Sequence, residues 1–377
     1  MFLIDRRYVR YFDWLGFFCI IMLSCIGLLF VYSATYKPEV PYSLFFKKQL
    51  LGVIGGWIIY ATCCSIDYRN LMRWGYFAYL AILGLLIFTI LKGSIGMGGQ
   101  RWINLGLFKF QPSELAKLFF PAFTTYYLIT EDDDSLDVSL RSIAPVLAIL
   151  AVSFFLIVKQ PDLGTALILT FSAIALLWLT GLNRKFFIVG FLSILLCAPI
   201  LWHCLKPYQK QRLAVFLGEG DIKKERYQLE QAKIAIGSGG KWGKGFLQGT
   251  QNKYLFLPES RTDFIFAVIC EEIGFVGALC ILLLYLGLFF RFYCIITSIN
   301  APFIQLLATG IIIHIVISTF INIGMVLGLL PVVGIPLPLV SYGVSNLWIT
   351  FASLGWFNGI AMRRFYMTQN TYSMSSL

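Results

Sequence analysis

The chain has 377 residues, of which 58% are apolar and only 13% charged, and its mean hydropathy is +0.78. A charged fraction about half the usual one excludes an ordinary water-soluble enzyme, and several apolar runs reach the roughly 20 residues that span a bilayer. The net charge of +11 comes without an aromatic and basic RNA-reading signature. Nucleic acid is therefore not the expected partner, and the basic residues are read as facing lipid phosphates or an anionic lipid substrate.

Ten stretches read as membrane spans in chain order: 12–35, 50–66, 71–91, 113–130, 142–158, 163–181, 186–203, 263–290, 302–328 and 343–362. The expected fold is an all-α polytopic integral membrane protein with about ten transmembrane helices. It forms one domain, 1–377, with a large extracytoplasmic loop at 204–262 between the seventh and eighth spans. The first run is too long for a cleavable signal peptide and opens a series of similar runs. Most of the nine cysteines lie inside apolar runs, without CxxC or Cys/His spacing, and read as packing residues.

Short-loop charge sets the expected orientation. With the N-terminus inside, Arg6, Arg7, Arg10, Arg69, Arg73, Arg141, Arg184, Lys185, Arg291, Arg363 and Arg364 are cytoplasmic. Lys37, Lys47, Lys48, Lys92, Arg101, Lys109 and Lys159 are then external. This modest positive-inside bias predicts cytoplasmic N- and C-termini. The basic residues of 204–262 add a positive outer surface suited to an anionic headgroup. The acidic run Glu131 to Asp137 reads as a solvated cytoplasmic turn.

The outer loops hold the chemistry. Gly93 to Ile103 is rich in glycine, and Arg101 beside Trp102 suits a phosphate or sugar contact, or snorkels to headgroups. Gln111-Pro112-Ser113-Glu114 reads as a helix start. Glu114 and Lys117, at i and i+3, share a face and can pair, either as a structural ion pair or as the wall of a polar cavity. Pro161-Asp162 can open the next helix, with Asp162 as its cap or as a partner of Lys159 or another base. In the large loop, 223–237 reads as an amphipathic helix. The run Gly237-Ser-Gly-Gly-Lys241-Trp-Gly-Lys-Gly245 permits close backbone approach to phosphate but is not a Walker motif.

Asp263 stands at the joint between that loop and a long apolar helix. It reads as an N-cap, with Thr262, or as a partly desolvated carboxylate suited to general-base work. Glu271 and Glu272 lie roughly 12 Å further along the helix, at 1.5 Å per residue. They read as pairing with interior polar groups or as lying near the far interface. Three prolines between Gly328 and Gly343 rule out a continuous helix there. The segment is expected to be a tucked outer loop bringing Ser341 and Tyr342 towards the site. His203 and His314 form no motif.

Together the runs GQRWINLG, QPSELAKL, QPDLGTA, IAIGSGGKWGKGFLQGTQ, FLPESRTDFIFAVICEEIGFVG and GLLPVVGIPLPLVSYG resemble the SEDS family of bacterial cell-wall proteins, on the RodA side rather than the FtsW side. Val344 stands where the family commonly has a second Gly after Ser-Tyr-Gly. The resemblance implies a peptidoglycan glycosyltransferase that polymerises lipid II at the outer face of the bacterial cytoplasmic membrane. It implies a class B penicillin-binding protein as transpeptidase partner, within the elongation complex. The family's essential aspartate falls on Asp263, and its Glu and Lys fall on Glu114 and Lys117. The expected site is thus Asp263 as base, directly or through Mg²⁺ or Mn²⁺, with Arg101, Glu114, Lys117, Lys241 and Ser341 around the substrate. A transporter (flippase) of the lipid-linked precursor is the alternative.

Overall fold

The computed structural model describes residues 10–96, 99–104, 106, 108–131, 140–219, 226–254 and 256–366. A helix occupies each of the ten stretches expected to span: α1 (Trp14–Thr35), α2 (Leu44–Ser65), α3 (Tyr68–Lys92), α4 (Pro112–Glu131), α5 (Leu140–Lys159), α6 (Leu163–Leu179), α7 (Arg184–Cys204), α11 (Ile265–Thr297), α12 (Pro302–Val326) and α13 (Val344–Arg363). Six of these, α1, α2, α3, α5, α11 and α12, are long and apolar enough to cross a membrane by length and composition. Between α7 and α11 the described residues form three short helices, α8 (Pro207–Phe216), α9 (Tyr227–Gly239) and α10 (Thr250–Lys253). The amphipathic run expected at 223–237 thus appears as α9. The acidic run reaching Asp137 lies almost wholly outside the described residues.

Local chemistry sets the helix starts. Ser43 Oγ accepts from Phe46 N at 3.1 Å to cap α2, and Asp67 Oδ1 accepts from Arg69 N at 2.9 Å to cap α3. Small residues then set the packing, because helices in lipid gain from close van der Waals contact rather than from burial alone. The tightest pair is α2 on α13. A Cβ on Gly56 would overlap the Phe351 ring, and one on Gly355 would sit 2.5 Å from Tyr60 O. The main core runs between α1, α2, α4, α11, α12 and α13. Helix α7 stands apart, with Ile188, Phe191, Leu195 and Leu196 all exposed.

Two features depart from uninterrupted helices. The glycine-rich stretch after α3 folds as a three-stranded antiparallel sheet, β1 (Ser94–Gly96), β2 (Gly99–Asn104) and β3 (Lys109–Phe110). It pairs Ser94 with Trp102, and Asn104 with Lys109. The second feature is a break in α11 at Gly274, whose φ of 69° and ψ of −167° a side chain would not tolerate. The backbone groups freed by the break are taken by the glycine-rich loop. Phe275 N donates to Gly240 O at 2.9 Å, Val276 N to Lys241 O at 3.2 Å, and Lys244 N to Glu271 O at 3.0 Å.

The adjacent acids complete this clasp. Glu271 Oε1 accepts from Lys244 Nζ at 2.6 Å, Thr250 N at 2.8 Å and Thr250 Oγ1 at 2.9 Å. Glu272 accepts from Leu247 N and Ser33 Oγ. Of the two sequence readings, pairing with polar groups holds, and the partners belong to the large loop except for Ser33 of α1. Glu271→Ala leaves buried donors without their acceptor. Expected is a loss at the low end of the roughly 3–5 kcal/mol of a broken buried pair, because Lys244 still reaches solvent. A fall in the melting temperature of the purified protein measures it.

The proline-rich segment is tucked inside, as its sequence predicts. Ile335, Leu337, Leu339 and Val340 are buried. Non-helical backbone inside such a bundle needs protein partners, and it has them. Asn322 Nδ2 donates to Ile335 O at 2.7 Å, Gln49 Nε2 to Ser341 O at 3.2 Å, and Tyr342 N to Arg261 O at 2.9 Å. Val344 begins α13 in ordinary helical geometry and packs on Gly52, so the missing second glycine leaves the turn intact.

Candidate active site

The sheet, the start of α2, the starts of α4 and α6, the turn before α11 and the proline-rich segment enclose a cavity of about 370 Å³. Three carboxylates line it: Glu114, Asp162 and Asp263. So do three cations: Lys48, Arg101 and Lys109.

Two of the carboxylates are tied down. Asp162 caps α6 by accepting from Thr165 N at 3.4 Å. Its other oxygen accepts from Gln111 Nε2 at 2.6 Å and Ser113 Oγ at 3.3 Å. Arg101 Nη1 pairs with it at 3.3 Å. Both sequence readings of Asp162 therefore hold at once, with Arg101 and not Lys159 as the base. Glu114 Oε2 pairs with Lys117 Nζ at 2.7 Å and accepts from Asn346 Nδ2 at 2.9 Å.

Asp263 differs from both. It lies in the turn before α11, whose N-cap is Phe264 with no side-chain cap bond. The capping role open to Asp263 is therefore not used. Among the described residues no donor bonds its carboxylate, and a Cβ on Gly334 would sit only 3.4 Å from its Oδ2. The backbone around it is held firmly instead. Asn322 Nδ2 donates to Asp263 O at 2.9 Å. Ser341 Oγ donates to Thr262 O at 2.5 Å and accepts from Leu337 N at 2.8 Å. Burial first, and the nearby Glu259 charge second, push the Asp263 carboxyl up to about 6, against the opposing pull of Arg212 and Arg101. A free carboxylate titrating near neutral pH, on a braced backbone, is suited to taking a proton.

The expected site residues thus divide. Asp263, Arg101 and Glu114 share the cavity. Lys117 has a side chain 1% exposed and meets the cavity only through Glu114. Its geometry is that of a partner to Glu114, not of a direct phosphate contact. Ser341 spends its hydroxyl on bracing Thr262 and the proline-rich segment. Lys241 is exposed on the glycine-rich loop, off the cavity wall. Asn322, Gln111 and Asn346 carry site structure that the motif reading passed over, although a carboxamide in an apolar helix is itself a signal. Ser341→Ala removes two bonds from the brace. It is expected to cost about 1–3 kcal/mol and to lower turnover more than substrate affinity, read by melting temperature and by kcat against KM.

Known proteins share this architecture. A family model described as a cell cycle protein, FtsW/RodA/SpoVE, matches residues 13–365. The chain belongs to that family. The peptidoglycan glycosyltransferase MrdB of Escherichia coli K12 is 38% identical over 338 residues, covering 89% of this chain and 90% of that protein. The peptidoglycan glycosyltransferase RodA of Treponema pallidum is 30% identical, covering 95% and 99%. Among solved structures, a chain from work on polymerization and crosslinking by a peptidoglycan synthase complex superimposes with a TM-score of 0.80. It is 26% identical, and the match covers 94% of this chain and 99% of that one. Thermus thermophilus RodA superimposes with a TM-score of 0.69 at 25% identity, covering 94% and 98%. Like other members of the FtsW/RodA/SpoVE family, this is a multi-span membrane protein.

Proposed function

We propose that this protein is a peptidoglycan glycosyltransferase that joins lipid II disaccharides into glycan strands at the outer face of the bacterial cytoplasmic membrane, serving elongation. The observation that carries the mechanism is the Asp263 carboxylate, without a bonding partner among the described residues, in a cavity that also holds Lys48, Arg101 and Lys109. Asp263 takes the proton of the acceptor sugar hydroxyl. The oxygen attacks the anomeric carbon of the donor with inversion, and the bond to the diphosphate breaks. Undecaprenyl pyrophosphate leaves with the electron pair, its charge met by the cavity cations. In this reading the ten helices all span, both termini are cytoplasmic and 204–262 is extracytoplasmic.

Among the described residues no three His, Cys, Asp or Glu converge as a metal centre, and Glu114 and Asp162 already have partners. The residues therefore do not fit a protein-built cage. Asp263, the cavity carboxylate without a bonding partner among the described residues, would be the protein ligand of a Mg²⁺ or Mn²⁺ brought with the substrate. When bound, such an ion supplies charge neutralisation at the leaving group.

A class B penicillin-binding protein is the proposed partner, supported by the similarity to a chain of a peptidoglycan synthase complex. The test is polymerisation of lipid II by the purified protein, with and without that partner, its own glycan chemistry disabled if present. Strands from wild type and none from folded Asp263→Ala support the proposal. Equal strands from both remove Asp263 from the mechanism. No strands, with labelled lipid II crossing vesicle membranes, favour a flippase, the reading to which the buried Glu114–Lys117 pair is also suited.

A further inference from the structure

We propose that Gly96, Trp102 and Lys109 form a sugar-phosphate subsite of the cavity. The Trp102 indole carries the face of a pyranose ring, and Lys109 binds the phosphate attached directly to that ring. This inference rests on the glycosyltransferase reading and names where its donor sits.

The three residues come together only because the sheet folds. Trp102 lies on β2 and is fixed by its pairing with Ser94, whose hydroxyl donates to Trp102 O at 3.0 Å. Lys109 opens β3 and pairs with Asn104 at the far end of β2. Gly96 ends β1. The point where a Cβ on Gly96 would stand is 3.2 Å from Trp102 Cδ1, 3.4 Å from its Nε1 and 3.7 Å from Lys109 Nζ. The lack of a side chain at Gly96 thus lets the indole edge and the ammonium come together on the cavity wall, with no room between them and Gly96 for even a methyl group.

Neither group is spent on the fold. Among the described residues Trp102 Nε1 has no hydrogen-bond partner, Lys109 has no ion pair, and the Trp102 ring stacks on no other ring or cation. The other aromatic residues of the cavity are engaged. The Arg261 guanidinium lies 3.9 Å from the centre of the Phe45 ring. Tyr342 meets Phe45 edge-on at 5.5 Å, and Phe108 meets Trp348 at 5.2 Å. Trp348 also donates its own N–H to Gly52 O at 2.9 Å. A half-buried tryptophan on the cavity wall, its N–H and ring without a partner among the described residues, beside a lysine without an ion pair among them, presents what a sugar phosphate needs. The apolar C–H face of a pyranose stacks on the ring, the indole N–H reaches a ring substituent, and the ammonium meets the anion. The closeness of indole and ammonium suits a charge bonded to the sugar itself, rather than a polyanion held by Lys109 alone.

The experiment measures binding of two probes, lipid II and undecaprenyl pyrophosphate, to the purified full-length protein carrying Asp263→Asn to prevent turnover. Trp102→Leu is expected to weaken lipid II about tenfold and to leave undecaprenyl pyrophosphate unchanged, because only the first probe has a sugar. Lys109→Gln is expected to weaken both by a similar factor. Trp102→Phe, which keeps a ring, restores most of the preference. Gly96→Ala presses a methyl on the indole edge, shifts the ring and weakens lipid II selectively, which keeps the test open if Trp102→Leu does not fold. A Trp102→Leu protein that folds and keeps its full preference for lipid II overturns the subsite. So does one that loses both probes equally. If wild type polymerises lipid II in either case, the glycosyltransferase reading stands without it. If wild type neither binds nor polymerises lipid II, both fail together.

Discussion

Asp263→Asn is expected to abolish strand synthesis and, at the same time, to make the protein more stable. Removal of a general base costs about 10²–10⁴-fold in rate. The stability gain follows from the environment of the carboxylate. Asp263 is half-buried, has no bonding partner among the described residues, and faces the charge of Glu259, which together push it up to about 6. The folded protein therefore binds this proton more tightly than the unfolded chain does. Stability falls as pH rises from the ordinary Asp range near 3.9 through about 6, then stays reduced by a constant amount. Asparagine has no charge to desolvate. Its advantage grows across that window and levels off above it, to about 1–2 kcal/mol after the shift is discounted for solvent reaching the group. Wild-type turnover has the opposite dependence. It is expected to be flat above about pH 7 and to fall tenfold per pH unit below about 6, as the base is protonated. Melting curves of wild type and Asp263→Asn between pH 5 and 8, with turnover measured over the same range, check both signs. A variant that is both inactive and less stable would show that Asp263 supports the fold.

The helices were legible because lipid imposes a simple rule. Runs of about twenty apolar residues have few alternatives, and each of the ten stretches is helical. The sheet was not legible, because Gly93 to Asn104 is rich in glycine and its strands are short. What makes them strands is the pairing of β2 with β1 and β3, which no local pattern encodes. The break at Gly274 escaped for a related reason: one glycine inside an apolar run usually continues the helix. Here the loop from Gly240 to Gly245 supplies the partners that make a break affordable. Asp263, Glu114 and Arg101 were found because charge at the lip or wall of a membrane helix needs a reason. The i,i+3 spacing did show that Lys117 can pair with Glu114, but not that this pairing would hold it off the cavity wall, and the direction of Ser341 was not readable, since sequence position gives no bond. Lys117 turns to Glu114, and Ser341 to Thr262. Asn322 was overlooked because its contacts are with the backbone of Asp263 and Ile335, which are 59 and 13 residues away in sequence.

The buried pair gives the second large effect, and it separates structure from chemistry. Lys117 is 1% exposed and its partner Glu114 6%, so removing either acid or base alone strands a charge inside the protein. Glu114→Ala and Lys117→Ala are each expected to lose about 3–5 kcal/mol, read as a large fall in melting temperature and in yield. The double replacement Glu114→Gln with Lys117→Met keeps the volume and strands no charge. It is expected to recover most of the stability, because apolar or neutral substitutes for buried pairs are often tolerated. Activity is expected to follow another course. Glu114 lines the cavity and holds Asn346 at 2.9 Å, so neutralising the pair changes the charge facing the substrate even when the fold is intact. A double variant that melts near wild type but polymerises lipid II at least tenfold more slowly assigns the pair to the site. Full recovery of both stability and turnover would leave it a structural ion pair that fixes α4. Lys117 lies behind Glu114 rather than on the cavity wall, so its part in either outcome runs through the carboxylate it holds.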